Sequence, residues 1–582
     1  MKRSIDLTSE TTSLAQPPFS ELRRRELLAW LGSLGLGATV FPAKLLGLVQ
    51  SASSGAAQVT LPMIEQAEKL AGLSFTDAQR KQMERGVNDR LESITRLRNR
   101  TLDAQVAPCL HFDPVPPGRA RPVSAIRRVK LPPPAPLDVP DDLEELAFAP
   151  VSRLAELLRA RAITSVELTE MYLARLERLD PTLLCVVTLL KDEAMRQAKQ
   201  ADVELAAGKW RGPLHGVPWG AKDLLYTRGI RTTFGAEPFR DFVPDEDARV
   251  VERLNDAGAV LVAKLSLGAL AMGDVWYGGM TRNPWNPKEG SSGSSAGPAA
   301  ATAAGLVGFS IGSETLGSIV SPSTRCGATG LRPTFGRVSR AGSMALSWSM
   351  DKLGPICRSA LDCALVFAAI EGRDERDRST VDLGFDFDAT RPLSKLRLGY
   401  LKPHFTQVGD SADRSVLDVL RSLGAGLEPV EFPDAEARDL TLMLDVEAAS
   451  AFDDLTRSGG VEQLKEQHPA AWPNLFRTAR LVPAVEYLRA SRLRTLLLET
   501  MAAAFADFDV VVAPAFGGNT LALTNLTGHP ALVLPDGFTK SGAPTSITFI
   551  GRLYDEAELL TVGHAFQAAT DFHTRQPPGF AV

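Results

Sequence analysis

The chain has 582 residues, of which 44% are hydrophobic and 23% charged, and its formal net charge at pH 7 is −5. This length fits either three or four domains or one large α/β unit. The mildly acidic balance gives no reason to expect binding to nucleic acid or to an anionic membrane surface. The cysteines form no CxxC pair and no metal-ligand spacing, so we expect no metal site and no disulfide framework, but buried apolar thiols at Cys109, Cys185, Cys326, Cys357 and Cys363.

The N-terminal 57 residues have the pattern of a secretory signal. Three arginines at 23–25 precede a short apolar stretch at 29–42, and small residues follow at 51–57. This pattern is typical of a twin-arginine signal with its cleavage region, so we expect export to the periplasm or out of the cell. The stretch is short, rich in glycine and followed by Lys44, so no stable membrane span is expected after signal removal. The alternatives are an uncleaved amphipathic anchor and, if the segment is not a signal, a cytoplasmic protein.

Residues 58–146 are predicted to form a helical and proline-rich extension. Apolar residues recur at helical spacing in IEQAEKLAGL and in FTDAQRKQMERGVNDRLESITRLR, and Thr76 is in position to cap the second helix. The segments DPVPPGRARP and KLPPPAPLDVPDD are extended by their prolines and are expected to wrap around or link other parts. No pattern typical of catalysis is present in this extension.

From residue 147 onward the pattern alternates between helices and strands. Helices are predicted in VSRLAELLRARAITSVELTEMYLARLERLDP, where Thr164 or Ser165 caps the second, and in KDEAMRQAKQADVELAAG. Residues 217–221 form a predicted strand that delivers Lys222, and DARVVERLNDAGAVLVAKLS predicts a helix, a turn and a strand. This alternation predicts an α/β fold with helices on both faces of a sheet.

The stretch 290–330, GSSGSSAGPAAATAAGLVGFSIGSETLGSIVSPSTRCGATG, carries the most chemistry. It predicts a loop, a helix, a strand and a second loop, because Pro298 and the alanine run favour a helix start and the run 306–311 favours a buried strand. A helix of about nine residues rises roughly 13 Å and the strand returns up to about 20 Å. The loops that carry Ser294 and Ser318 are therefore expected to lie side by side.

Two serines need a base, and Lys222 is the predicted one. None of the seven histidines lies in the stretch 290–330. A lysine removed from water loses its preference for the charged form, so its pKa falls and the neutral amine can accept a proton. A Ser–Ser–Lys relay is therefore chemically plausible, with Lys264 in the following strand as the rival lysine.

Three other patterns have a simpler interpretation. Residues 283–287, NPWNP, are a predicted turn cluster. Residues 293–297 match the G-x-S-x-G nucleophile elbow, but no strand is predicted before them, so we interpret the match as chance. Ser349 and Lys352 form an S-x-x-K pattern, with residues 540–542 in the place of a K-T-G element, but no S-D-N lies between them. This pattern is a weaker alternative for the catalytic serine.

Several blocks, in a fixed order, resemble the amidase signature family: GAKD at Lys222, GSSGSSAGPAAA, GSETLGSIV and GATGLRPTFGRVSRAG. The resemblance covers roughly residues 147–582 and implies a large mixed β-sheet flanked by helices on both faces. It implies a Ser-cisSer-Lys catalytic set in which Ser318 is the nucleophile, Ser294 the bridging cis serine and Lys222 the base, without a cofactor. It also implies an oxyanion hole made by the backbone N–H groups of Thr315, Leu316, Gly317 and Ser318.

The chain departs from the family pattern at the second loop. Where the family usually has GTDTGGSIR, this chain has GSETLGSIV. Glu314 replaces an aspartate and Val320 an arginine, so we expect Arg325 to act as the partner of Glu314. Leu316 replaces a glycine, which is tolerated only if the backbone there does not need a glycine conformation. The first loop begins KEGSS, without the family's double glycine, and Ser291 is its less favoured candidate serine.

The C-terminal part resembles the closing strands and helix of the family. FDVVVAPAF predicts a strand, and TNLTGHPALVLPDGF with ITFIGRLYDEAELLTVGHAFQAAT resembles the family's last strand and helix. The segment 515–523 is shorter than the family's insertion at the substrate channel, so we expect a more open or differently shaped pocket. Residues 385–500 are the variable, specificity-related part; candidates to line the pocket, with a core role as the alternative, are Met443, Phe452, Trp472, Phe476 and Tyr487.

These patterns predict an exported hydrolase of C–N bonds that acts on linear carboxamides or related amides and esters through a seryl acyl-enzyme. The expected partner is a small-molecule amide, no nucleic acid is expected, and both a monomer and a homodimer are open. One alternative is the glutaminase-type subunit of a tRNA-dependent amidotransferase, against which the export signal argues because the tRNA is cytosolic. The other is a catalytically impaired binding homologue, which the substitutions at Leu316 and Val320 favour.

Overall fold

The computed structural model describes residues 58–98, 110–116, 118–119, 121, 125–133, 137–407, 411–433 and 437–582. The predicted twin-arginine signal and cleavage region, residues 1–57, lie outside the described residues, and so does Cys109. The chain divides into two compact units at residue 100.

The first unit contains the two predicted helices, α1 Leu61–Leu70 and α2 Asp77–Arg98. Thr76 caps α2 as predicted: the Gln79 N–H donates to Thr76 Oγ1 at 3.3 Å, and the Thr76 N–H donates to Gln79 Oε1 at 2.7 Å. This reciprocal pair satisfies two backbone donors that a helix start otherwise leaves free.

The second unit is built on a large mixed sheet. In chain order, the strands of its described residues are β1 Arg127–Lys130, β2 Val186–Leu189, β3 Pro218–Lys222, β4 Val260–Leu265, β5 Val275–Trp276, β6 Gly279–Met280, β7 Arg282–Asn283, β8 Asn286–Gly290, β9 Phe309–Glu314, β10 Thr329–Arg332, β11 Lys352–Cys357, β12 Phe385–Asp388, β13 Leu398–Leu401, β14 Leu427–Val430, β15 Val510–Pro514, β16 Ala531–Phe538 and β17 Pro544–Gly551. Eleven of them form one sheet in the order β14-β13-β15-β17-β16-β10-β11-β9-β3-β4-β2. Its β9, β3 and β4 run parallel, and β10 and β11 are antiparallel to their neighbours.

Helices cover this sheet. They are α3 Val151–Arg159, α4 Ser165–Leu183, α5 Lys191–Ala206, α6 Arg249–Asp256, α7 Ala296–Ala303, α8 Val320–Cys326, α9 Ala360–Ile370, α10 Lys402–Gln407, α11 Ser411–Ser422, α12 Ala437–Leu440, α13 Leu442–Ala451, α14 Asp453–Arg457, α15 Trp472–Ala479, α16 Ala484–Ala504, α17 Thr520–Thr527 and α18 Glu556–Ala568. Short 3-10 helices lie at Leu143–Phe148, Glu237–Phe239, Ala269–Ala271, Leu393–Lys395, Gly460–Gln463 and Phe572–Thr574. Every residue of β3, β4, β9, β10 and β11 is buried, as expected for strands covered on both faces. The predicted α/β fold with a large mixed sheet is confirmed.

Local patterns before the sheet centre are also confirmed. Thr164 caps α4, since the Glu167 N–H donates to Thr164 Oγ1 at 3.1 Å and the Glu167 carboxylate accepts from the Thr164 N–H. The predicted helix, turn and strand after Lys222 are α6, a turn at Gly258 with φ +78°, and β4. Because β3 and β4 are parallel neighbours, α6 is the crossover between them.

The α7–β9 pair forms as predicted, with shifted ends. Helix α7 begins at Ala296, before Pro298, and β9 begins at Phe309, three residues later than the predicted start. The start of α7 lies directly on the backbone of neighbouring segments: a Cβ at Gly297 would lie 2.5 Å from Ser266 N and 2.6 Å from Cys185 O. Glycine is therefore required there for the helix to approach so closely.

The proline-rich extension joins the second unit through β1. This strand pairs in parallel with β12, and Arg128 and Lys130 form ion pairs with Asp386 and Asp388 at 2.8 Å and 3.0 Å. The proline-rich segment therefore pairs with a strand of the second unit. It does so before residue 147, the residue at which the family resemblance begins.

The four described cysteines are buried and unpaired, as expected. Among the helices described, none combines the length and apolar character needed to cross a bilayer.

Candidate active site

Sheet topology brings the three predicted catalytic residues to one edge. Lys222 is the last residue of β3, and β9, which leads to Ser318, is its parallel neighbour. Because the carboxyl ends of parallel strands meet at the same sheet edge, Lys222 and the loop after β9 lie close together. Ser294 lies in the loop between β8 and α7, and its peptide bond with Gly293 is cis, as the resemblance implies.

Lys222 is held entirely by hydroxyl and carbonyl oxygens. Its Nζ lies 2.8 Å from Ser294 Oγ, 3.0 Å from Ser295 Oγ and 2.9 Å from Ser313 Oγ. The side chain has no exposed surface, and among the described residues no carboxylate lies within 4.0 Å of its Nζ. Burial lowers the pKa of the Lys222 ammonium well below its usual value, and more distant carboxylates offset only part of that effect. A neutral amine here can accept a proton from Ser294.

The loop that carries Ser318 lies directly against the loop that carries Ser294. The Ser295 N–H donates to the carbonyl of Ser318 at 3.1 Å. Ser294 is 1% exposed and Ser318 is 9% exposed, so solvent access to the pair is largely on the side of Ser318. The structure thus brings together Lys222, Ser294 and the main chain at Ser318. Ser295, the serine of the discounted G-x-S-x-G match, and Ser313, which no sequence pattern indicates, complete the surroundings of the lysine.

The loop between β9 and α8 offers free backbone donors. Within the described part of the chain, the N–H groups of residues 315–318 donate no hydrogen bond. Gly317 has φ +89°, whereas Leu316 has a negative φ. A glycine conformation is therefore needed at Gly317 and not at Leu316. The backbone thus tolerates the leucine that replaces the family's usual glycine at position 316.

Glu314 has a different cationic partner from the one expected. Arg332 Nη1 donates to Glu314 Oε1 at 2.6 Å, whereas the one carboxylate of the described residues near Arg325 is that of Glu289, at 4.0 Å. The expectation of a Glu314–Arg325 pair is wrong for a topological reason: β9 and β10 both run antiparallel to β11, so Glu314 and Arg332 end strands that point the same way. One strand, β11, lies between β9 and β10 in the sheet, so the order of residues along the chain does not indicate this pairing.

Glu314 also fixes the end of the loop. Its Oε2 accepts from the N–H groups of Ile319 and Val320 at 2.8 Å and 2.9 Å, and Asn525 Nδ2 donates to Oε1 at 2.7 Å. Burial works to raise the pKa of this carboxyl, but Arg332 and these donors outweigh it and hold the pKa at about 2. Glu314 is thus an anion that anchors the residues immediately after Ser318.

A cleft of about 940 Å³ opens beside the Gly293–Ser294 peptide. Its walls combine hydroxyls, apolar side chains and two charges, and they include Asp274, Met280, Ser292, Gly293, Ser321, Thr324, Arg325, Phe516, Thr545 and Ser546. The segment 514–518 forms one wall, so the short segment after β15 borders the cleft. Phe516 is 57% exposed there, a large apolar surface available to a ligand.

The five pocket-lining candidates do not line this cleft. Met443, Phe452, Trp472 and Phe476 are buried core residues. Met443 and Tyr487 border a separate cavity of about 260 Å³. The core interpretation, the stated alternative, is the better one for most of them.

Lys264 has a structural role. Its Nζ lies 3.2 Å from Asp223 Oδ1 and donates to Thr232 Oγ1 and the Leu225 carbonyl at 2.6 Å and 2.8 Å. A lysine with a carboxylate partner keeps its proton more readily than one without, so Lys264 is the poorer base.

The S-x-x-K motif lacks catalytic geometry. Ser349 Oγ donates to Glu447 and accepts from Arg494, and Lys352 Nζ donates to the Met350 carbonyl. Lys540 lies in an exposed turn between β16 and β17. Strand β8 does precede the G-x-S-x-G match, contrary to the sequence interpretation, but among the described strands it pairs with β7 alone, outside the main sheet.

No group of three or more His, Cys, Asp or Glu side chains capable of holding a metal occurs in the described ranges. Serine hydroxyls, the buried Lys222 amine and the free backbone donors of residues 315–318 meet at this edge of the sheet.

Comparison with known proteins gives the family. Residues 167–524 match the family model described as Amidase. A glutamyl-tRNA(Gln) amidotransferase subunit of Methylococcus capsulatus is 37% identical over 483 residues, which are 74% of this chain and 99% of that protein. The protein of the same name from Roseiflexus sp. is 36% identical over 476 residues, 73% of this chain and 97% of that protein. The crystal structure of native peptide amidase from Stenotrophomonas maltophilia superposes with a TM-score of 0.67 at 32% identity, covering 75% of this chain and 100% of that one. The chain belongs to the amidase family, the amidase signature enzymes that hydrolyse C–N bonds.

Proposed function

We propose that this protein hydrolyses a carboxamide, with Ser318 as the nucleophile and Lys222 as the base that acts through Ser294. The observation that carries the proposal is the buried Lys222 Nζ, 2.8 Å from Ser294 Oγ and without a carboxylate partner in the described residues. Such an amine is neutral more readily than a solvated lysine, and a neutral amine is what the relay needs.

The proposed reaction begins with two coupled proton transfers. Lys222 Nζ takes the proton of Ser294 while Ser294 Oγ takes that of Ser318, and Ser318 Oγ forms a bond to the carbonyl carbon as the C=O electron pair moves onto oxygen. The proton then returns from Lys222 through Ser294 to the amide nitrogen, the C–N bond breaks, and ammonia or an amine leaves. Water attacks the resulting Ser318 ester by the same relay and releases the carboxylic acid.

The free N–H groups of residues 315–318 are the proposed oxyanion hole. Preorganised donors aimed at the developing negative charge contribute about 10²–10³ in kcat for each donor removed. Glu314 supports this arrangement because it holds the amides of Ile319 and Val320 and leaves the preceding amides free.

The relatives suggest two candidate carboxamide substrates. The likeness to peptide amidase favours the C-terminal amide of a peptide, for which the large cleft with Phe516 has room. The names of the curated relatives, 36–37% identical to this chain, favour glutamine and a role as a glutaminase subunit with further partner chains. Sequence identity is higher to the relatives that favour this second candidate, 36–37% against 32% for the peptide amidase.

An ammonia-release assay with free glutamine, amino-acid amides, peptide amides and alkyl amides tests the substrate class. Peptide amides turned over at least tenfold faster than glutamine would support the first candidate, and the reverse order would support the second.

A serine-directed fluorophosphonate tests the chemistry: we expect labelling of Ser318 that Ser318→Ala abolishes. Ser321→Ala, a change in the same cleft, should keep the label. A folded protein that is neither labelled nor active would instead be the non-catalytic binding homologue.

We also propose export through the N-terminal arginine motif, which lies outside the described residues. Replacing Arg23 and Arg24 by Lys should keep the protein in the cytosolic fraction of a bacterial host, while the unchanged chain reaches the periplasm. An unchanged chain that stays in the cytosolic fraction would contradict export. It would also remove the main objection to a tRNA-dependent partner.

A further inference from the structure

The loop between β9 and α8 is held at its beginning as well as at its end. Thr315, its first residue, is 6% exposed, and its Oγ1 donates to Asp351 Oδ1 at 2.6 Å. At the other end Glu314 accepts from the N–H groups of Ile319 and Val320. The free amides of residues 315–318 lie between these two carboxylate anchors.

Asp351 is itself firmly oriented. Its Oδ2 accepts from the N–H groups of Leu346 and Ser347 at 2.8 Å and 2.9 Å. A carboxylate that accepts two backbone hydrogen bonds on one oxygen has a single orientation for its other oxygen. Oδ1 therefore points at Thr315 with little freedom to move.

The turn that orients Asp351 is fixed from a second direction. Ser347 Oγ donates to Glu447 Oε2 at 2.8 Å, and the Ser349 N–H donates to the same oxygen at 3.0 Å. Tyr487 OH donates to Glu447 Oε1 at 2.8 Å. Because Glu447 lies on α13 and Tyr487 on α16, helices of the variable part lock the turn. Asp351 cannot simply follow Thr315 if the loop moves.

We propose that Asp351 is a positioning residue: through Thr315 Oγ1 it sets the orientation of the backbone N–H groups that face the developing oxyanion. This inference rests on the proposed function, since it assigns a role within the proposed oxyanion hole. Displacing reacting groups by about 1 Å can cost on the order of 10²-fold in rate. Since the oxyanion exists only after attack, the contribution falls on kcat rather than on substrate binding.

The test compares two substitutions of Thr315. Thr315→Val keeps the branched shape and removes the hydroxyl, whereas Thr315→Ser keeps the hydroxyl. We expect Thr315→Val to lower kcat by about 30- to 100-fold with KM nearly unchanged, somewhat less than the roughly 10²–10³-fold loss for a removed oxyanion donor, because the donors are displaced rather than deleted. Thr315→Ser should stay within about fivefold of the wild type. A role in packing alone would spare Thr315→Val, which keeps the branched shape, and would affect Thr315→Ser, which loses a methyl group.

Asp351→Asn completes a double-mutant cycle. With its oxygen on the N–H groups of Leu346 and Ser347, the Asn side chain presents an NH2 to Thr315 Oγ1, so the hydrogen bond in which Thr315 donates to a carboxylate is lost. This substitution should lower kcat to a similar extent, and combining it with Thr315→Val should add little, because both changes remove that bond. Asp362→Asn is the control: Asp362 is a fully buried carboxylate that accepts from a backbone N–H, that of Ser152 at 3.3 Å, but it lies on α9 away from the loop. It is expected to lower the thermal midpoint and leave kcat unchanged.

Three results would overturn the inference: an unchanged kcat in Thr315→Val, equal losses in the Val and Ser variants, or fully additive losses in the double variant. If Asp351→Asn does not fold, the Val and Ser pair still decides the question. Failure of the proposed function is recognised separately, because an active Ser318→Ala would remove the nucleophile assignment whatever Thr315 does.

Discussion

Replacing Arg332 by Met should destabilise the protein strongly, because it removes the cation that faces a fully buried carboxylate. Both side chains have no exposed surface, and their closest atoms are 2.6 Å apart. Burial raises the pKa of Glu314, yet Arg332 and the neighbouring donors hold the pKa at about 2 instead of its usual 4.5. At neutral pH that difference corresponds to about 3 kcal/mol of stability. Breaking a buried pair on one side typically costs about 3–5 kcal/mol.

The pH dependence has a definite sign. Because the pKa of Glu314 is lower in the folded than in the unfolded protein, its stabilising contribution is complete above pH 4.5 and is lost as the pH falls towards 2. The difference in unfolding free energy between the wild type and Arg332→Met should therefore shrink over this range.

Urea unfolding at pH 7 measures the effect, and Arg325→Met is the matched control. Arg325 is 57% exposed and lies 4.0 Å from Glu289, so its loss should change the unfolding free energy by less than about 0.5 kcal/mol. Equal losses in the two arginine variants, or a loss below about 1 kcal/mol in Arg332→Met, would refute the assignment of Arg332 as the partner of Glu314.

Three predictions concern the buried lysines Lys222 and Lys264. Lys222→Met should lower kcat by about 10²–10⁴-fold, the range for a general base, with an unchanged circular dichroism spectrum. Lys264→Met, which leaves Asp223 without its cation, should lower the thermal midpoint while the folded protein keeps its kcat; the opposite pattern in the two variants would exchange their roles. Since burial lowers the pKa of Lys222, kcat/KM should fall on the acid side as the amine gains a proton and level off at a pH well below 10.5. A profile that is flat towards acid would argue against a neutral lysine.

Local sequence patterns were sufficient for much of the fold. The caps at Thr76 and Thr164, the strand that ends at Lys222 and the order of α7 and β9 follow from spacing and capping residues, and the structure contains each of them. These features depend on neighbours within a few residues of one another, which is why a single sequence reveals them.

Features that depend on sheet order could not be predicted in this way. Arg332 meets Glu314 because β11 separates two strands that run the same way, and Asp351 meets Thr315 because β11 begins beside the end of β9. Lys352 at the start of β11 is paired with Glu314, so Asp351 precedes this pairing by one residue. Nothing in the spacing of these residues along the chain indicates the contacts, because strand order is a tertiary property.

The structure also bears on whether Leu316 and Val320 impair catalysis. Val320 is fully buried beside Ala515, Ala531 and Val533, so it contributes to an apolar cluster, and the charge of Glu314 is balanced by Arg332 instead. Leu316 packs against the main core and has an ordinary backbone conformation. Neither substitution therefore removes a group that the proposed mechanism needs.

Leu316→Gly and Gly317→Ala test this argument as a pair. We expect Leu316→Gly not to raise kcat on the best amide substrate and to lower the thermal midpoint, since it loses packing and adds backbone freedom worth about 1 kcal/mol. Gly317→Ala should lower kcat although space is available, with the nearest atom to the added Cβ 3.5 Å away, because φ +89° is unfavourable for alanine. A tenfold rise in kcat for Leu316→Gly would mean that the leucine side chain obstructs the loop. In that case the free amides of residues 315–318 would be blocked in this chain, and the binding homologue would become the better interpretation.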